Sequence, residues 1–368
     1  MSGFTHRLYL LFFSLTLFAV PFCRFLWDDW AILTLFGISL LLFCLYLLNK
    51  LANLIFPQIS WPLTLFCFTA FLILSSAHAA NSTPARIHLM GYAAITLFYL
   101  FSSGNSQKTT DHLQLIFCAS ASIYAVFYIL TLLKNDISNA RLTLEFFINH
   151  NLAASFMLFS LFAAWNQLAR HKWQSLAAIG LSIIALMMSK SIAALLGLIM
   201  AIIYLRKTRA QNSRQHIAVW ILTACAVCGI GILMRTFIIQ SFSDRARWWM
   251  AAIKLIKISP IFGNGPGSYE IAGQEYMAPG LKSVFAHSYP LQMAAELGLP
   301  TLFFWVIFLY SEWKQGKNRY LKAGLLAVFT QNLTDISMNL FGILLFFILF
   351  LAWSKIDEET GSMENAPS

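Results

Sequence analysis

At 368 residues, 59% hydrophobic and 15% aromatic but only 11% charged, with a mean hydropathy of +0.68, the chain is too apolar for a soluble globule, where about a quarter of residues carry charge. The composition predicts an all-α polytopic membrane protein. The formal net charge of +10 reports orientation in the membrane through the loops that carry it, and nothing in the chain suggests nucleic-acid binding.

Crossing roughly 30 Å of hydrocarbon takes about 20 apolar residues. Apolar runs stand at 8–23, 30–48, 61–76, 87–102, 112–133, 152–169, 174–188, 191–205, 216–234, 289–310, 321–333 and 338–353, predicting about twelve transmembrane helices in a single domain, 1–355. The first run has a basic start but no small-residue cleavage site, so it reads as a retained helix. The pairs 174–205 and 321–353 read either as hairpins broken at Lys190 and Asp335 or as long tilted helices. Cys225 and Cys228 form a CxxC inside an apolar run with no second ligand pair, which suits packing residues. The acidic, polar stretch 356–368 is expected to be a disordered cytoplasmic tail.

Loop charge settles the count. With twelve spans and both ends inside, the inner loops hold fourteen Lys and Arg and the short outer loops five, the positive-inside bias. Reading 174–205 as one span would reverse the basic loops that follow it. The long loop 235–288, between spans nine and ten, is then periplasmic. Polar groups delivered to that outer face include Arg141, Asn149, His150, Asn151, Lys190, Arg245, Arg247, His287 and Asp335. A charge close to hydrocarbon usually faces a cavity or a partner, although arginines beside a span also suit a snorkelling anchor.

Within the long loop, the apolar positions from Trp248 to Ile258 recur at helical spacing with Lys254 and Lys257 between them, predicting an amphipathic interfacial helix. Ser243 or Asp244 is the expected N-cap, which would place Arg245 and Arg247 in the first turn beside backbone N–H groups able to meet an anion. Pro260 ends the helix and GNGPG follows as a tight turn; with no preceding strand and no GK[ST], it is not a nucleotide loop. His287 precedes a helix that Ser288 can cap and whose first turn accepts Pro290. There the helix dipole disfavours the imidazolium and suits a general base, while an interfacial anchor is the alternative.

These residues also carry a family pattern. The chain resembles the O-antigen ligase and polymerase superfamily of bacterial envelope proteins from Arg141 to the last span. A His-[Asn/Ser/Gln]-x9-Gly-x2-[Gly/Thr/Tyr] signature is met by His287, Ser288, Gly298 and Thr301. An arginine four residues before a tryptophan and a Pro-x-x-Gly-x-Gly turn are met by Arg245, Trp249, Pro260, Gly263 and Gly265. An earlier arginine before an Asn-Pro-Asn-like element corresponds to Arg141 with Asn149-His150-Asn151. The chain departs from the family at His150, where proline is usual, and at Ser189-Lys190-Ser191, where Ser-Arg-Gly is usual; lysine keeps the charge without the bidentate fork. Its periplasmic loop is also short for the family.

The resemblance implies a GT-C-like fold and a multi-pass glycan transferase of the bacterial inner membrane. Its donor would be an undecaprenyl-diphosphate-linked glycan. The acceptor would be lipid A-core for a ligase or a second lipid-linked glycan for a polymerase. Arg141 and Arg245 would hold the diphosphate and His287 would serve as base, with Arg247, Asn149, Asn151, Lys190, Ser288 and Asp335 binding substrate. No cofactor is implied, and the sequence offers no obvious cluster of carboxylates or histidines for a divalent metal. A protein oligosaccharyltransferase would usually be longer. A transporter or flippase would predict internal repeats and charges at mid-membrane, whereas the charges here gather at one rim.

Overall fold

The computed structural model describes residues 3–52, 62–134, 149–208, 235–277 and 281–356. Arg141, the run 216–234 with its CxxC and all but the first residue of the tail lie outside the described residues. Among the described residues the chain is all helical: α1 Gly3–Ala19, α2 Asp29–Ala52, α3 Leu63–His78, α4 Ser82–Ser103, α5 Gln107–Lys134, α6 His150–Gln167, α7 Lys172–Ser189, α8 Ile192–Thr208, α9 Arg235–Ile258, α10 Tyr269–Ala272, α11 Tyr289–Leu297, α12 Leu299–Gln315, α13 Arg319–Asn332 and α14 Phe341–Ser354. Ten of the twelve apolar runs each coincide with one helix, and the run 289–310 is shared by two. Asp29–Leu47, α5 and α7 are long and apolar enough to cross a membrane, and Arg7–Ala19, α3 and α14 are shorter apolar helices.

The bundle is organised around α14, buried over its whole length, as a helix apolar on every side requires. Aromatic rings knit it to its neighbours: Phe156 of α6 stacks on Phe346 at 5.2 Å, and Phe117 of α5 meets Phe346 edge-on at 5.0 Å. Small residues allow the closest approach. Ala193, Gly197 and Ala201 line the buried side of α8 at four-residue spacing, and a Cβ on Gly197 would lie 2.2 Å from the Ala327 carbonyl of α13. Helices packed without a hydrophobic drive between them use such stripes.

Both doubtful pairs are separate helices. Lys190, at φ 52°, ends α7 in the left-handed conformation, while Ser189 Oγ accepts the Ser191 N–H and Ser191 Oγ accepts that of Ala194. Between α13 and α14 the chain turns through Asp335 and a short 3-10 helix, Ser337–Asn339.

Two expectations are overturned. The run 289–310 is not one helix: Gly298, at φ 88°, separates α11 from α12. Nor does the loop helix begin at Ser243 or Asp244. Nothing in 235–243 breaks a helix, and α9 runs from Arg235 to Ile258. Arg245 and Arg247 therefore lie well past the first turn, where the backbone N–H groups are engaged within the helix and cannot reinforce an anion site.

Candidate functional site

His287 is held by α9. The Trp248 indole stacks on its ring at 4.2 Å and 20°, and Trp249 Nε1 donates to the His287 carbonyl at 3.2 Å. Trp248 Nε1 donates to the Leu281 carbonyl, and its own carbonyl accepts from the Tyr269 hydroxyl. The histidine itself sits at φ 52°, a left-handed conformation that costs of order 1 kcal/mol and persists only where the surroundings impose it. Among the described residues its Nδ1 has no hydrogen-bond partner.

The glycine turn is docked on the end of α11. The Asn264 N–H donates to the Ala295 carbonyl and the Gly265 N–H to the Glu296 carbonyl, at 3.1 and 2.9 Å. The N–H groups of Gly267 and Tyr269 donate to the two carboxylate oxygens of Glu296. These amides are spent on docking the loop, so the turn is architectural. A Cβ on Gly263 would lie 2.2 Å from the Glu296 carbonyl, and one on Gly298 2.1 Å from that of Ile261. Thr301 Oγ donates to the Leu297 carbonyl across the break. Ser288 occupies the cap position of α11 without a side-chain cap bond. Gln292, inside α11, instead ties the preceding segment and the α13–α14 turn to the helix: its Oε1 accepts the Ala286 N–H at 3.0 Å and the Asn339 amide at 3.1 Å.

Behind the histidine lies a buried polar hub. The Asp335 carboxylate, fully buried, accepts from Asn151 Nδ2 at 3.1 Å, Gln331 Nε2 at 2.9 Å and Ser337 Oγ at 3.1 Å. Gln331 also donates to the Asn151 carbonyl, and Asn149 caps α6 by accepting the Asn151 N–H at 2.8 Å. Burial pushes the Asp335 carboxyl up, against the Ile336 amide, Gln331, Arg245 and Ser337, which pull it down. Arg245 is part-buried and its guanidinium is lowered by desolvation, opposed by Asp335 and Asp244. Desolvation first, then the charges of Arg245 and His150, bring the His287 imidazole down to about 3.

The structure thus brings together His287, Arg245 and His150, backed by Asp335, Asn151 and Asn149. Arg247 and Lys190 are exposed. Asn151 and Asp335, expected to meet substrate, are hydrogen-bonded to each other. Sequence reading missed Gln292, Glu296 and Gln331. Their signal was present: glutamate or glutamine inside an apparent apolar span is costly unless partnered.

Searches among curated proteins and among solved structures gave no match to the chain. Residues 176–306, from α7 into α12 and taking in Arg245 and His287, match the family model described as O-Antigen ligase.

Proposed function

We propose that the protein is an O-antigen ligase of the inner membrane, transferring a glycan from undecaprenyl diphosphate to lipid A-core on the periplasmic face. The observation that carries this reading is the convergence of Arg245, His150 and a neutral His287 at one rim of the bundle. A lipid-linked diphosphate entering from the bilayer needs cations there, and the acceptor needs a base. The exposed Met250, Ile253, Ile261 and Ile271 around α9 and α10 suit a loop lying against the membrane surface.

In this reading Arg245, with Arg141, binds the diphosphate and stabilises the charge that develops on it. His287 takes the proton of the acceptor hydroxyl as its oxygen attacks the anomeric carbon. The new C–O bond forms with inversion, the bond to the diphosphate breaks, and undecaprenyl diphosphate departs. Lys190 and Arg247 meet the outer part of the donor, and Asp335 and Asn151 fix Arg245 and the start of α6.

Desolvation is the largest cause of the depressed basicity of His287, followed by the charges of Arg245 and His150; a bound diphosphate would oppose the charge part of that shift.

The lipopolysaccharide profile of a deletion strain tests the assignment. Bare core with long lipid-linked chains accumulating is the expected result. Core capped by a single repeat would instead make the protein a polymerase, with a second lipid-linked glycan as acceptor.

A further inference from the structure

The eighteen residues of α6 carry the chain about 27 Å from the site rim, close to the thickness of the hydrocarbon layer. At that far end a cavity of about 640 Å³ is lined by Gln107, Lys108, Asp111 and His112 at the start of α5 and by Arg170 and His171 after α6. Its carboxylate is already engaged: Asp111 Oδ1 accepts from Arg170 at 2.7 Å, Gln107 at 2.9 Å and Gln167 at 3.1 Å. Two cations thus line the cavity against one carboxylate, with two imidazoles beside them able to donate N–H groups to an oxyanion.

The surroundings indicate what kind of anion. Trp173, 76% exposed, stands two residues after His171 with the Lys172 ammonium 5.5 Å from its ring centroid. An exposed indole of this kind marks the headgroup level of a bilayer. Leu176, Ile183 and Ile184 continue along α7 as an exposed apolar face on which acyl chains can lie.

We propose that this cavity binds the phosphodiester headgroup of an anionic membrane phospholipid at the rim opposite His287. The inference rests on the chain spanning a membrane and is independent of the glycan-transfer reading. Basic pockets between helices at the cytoplasmic side hold such headgroups, and the two histidines and Gln107 add directional donors to the charges of Lys108 and Arg170.

Native mass spectrometry of the full-length protein in neutral detergent tests it, with phosphatidylglycerol, phosphatidylcholine or inorganic phosphate added in parallel. Phosphatidylglycerol should be retained and phosphatidylcholine not. Lys108→Gln, at an exposed position, should weaken retention about fivefold, while Lys314→Gln, on the same rim outside the cavity, should not. Thermal melts of both variants matching the wild type would exclude misfolding as the cause. Should the Lys108 variant melt lower, His112→Gln, also at an exposed position, takes its place with the same loss expected. Equal retention of the two lipids, or equal loss in the Lys108 and Lys314 variants, would overturn the proposal. Displacement of the lipid by millimolar inorganic phosphate would make the ligand a free phosphate and overturn it as well.

Discussion

Arg245 and Arg247 are two residues apart on one helix, yet their surroundings differ: the first is part-buried and coupled to Asp335 and His287, the second exposed. A guanidinium grips a diphosphate with two parallel hydrogen bonds where an ammonium offers a point charge. Arg245→Lys is therefore expected to lower transfer about 10²-fold, the scale for losing one stabilising donor, and Arg247→Lys to change it little. Equal tolerance at matched expression would make Arg245 an interfacial anchor. His287 carries a pH signature too. Its ring binds a proton near pH 6.5 when unfolded but only near 3 when folded. Between those values the unfolded state holds the extra proton, so the contribution to stability is present above pH 6.5 and is lost as pH falls towards 3. His287→Gln should flatten the fall of the unfolding midpoint between pH 7 and pH 4.5; parallel curves would contradict the buried, neutral ring.

At the scale of elements, Gly263 and Gly298 hold the junction between the loop after α9 and the end of α11. Gly298 divides α11 from α12 at φ 88°, where a Cβ would run into the Ile261 carbonyl, and the Leu299 N–H donates to the Pro260 carbonyl at 2.8 Å, so the loop after α9 locks against the end of α11. Gly298→Ala is expected to cost about 1–3 kcal/mol and to lose donor binding together with transfer, as read from thermal melts and donor retention. A stable, donor-binding variant would contradict this role. The same junction shows what was legible in advance. Helix positions followed from apolar runs, and Lys190 and Asp335 marked true breaks because a charge between two apolar runs needs a rim to reach. The division at Gly298 was hidden because a nine-residue buried helix and the span after it share one apolar pattern. The start of α9 was misplaced for the converse reason: Ser243-Asp244 has the chemistry of a cap, but the helix preceding it continues without a breaker and the side chains stay in mid-helix. His287, Arg245 and Asp335 were found as rim charges. Their coupling was not, because it depends on α6, α9 and the α13–α14 turn meeting in space.

Over the whole molecule, polar groups gather at two rims: His287, Arg245 and Asp335 at one, and Asp111, Arg170 and the Lys355–Glu312–Tyr99 cluster at the other. A cysteine at the exposed Glu270 should react with an impermeant reagent from outside intact spheroplasts, and one at Gln315 should not; the reverse pattern would turn the active rim inward. The division between scaffold and chemistry makes the most direct test possible in purified, reconstituted protein supplied with lipid-linked donor and lipid A-core. His287→Ala removes the proposed base and leaves Arg245 and the glycine junction in place. It should fold, insert and retain donor while transfer falls about 10²–10⁴-fold. Near-normal transfer by that variant would contradict the account.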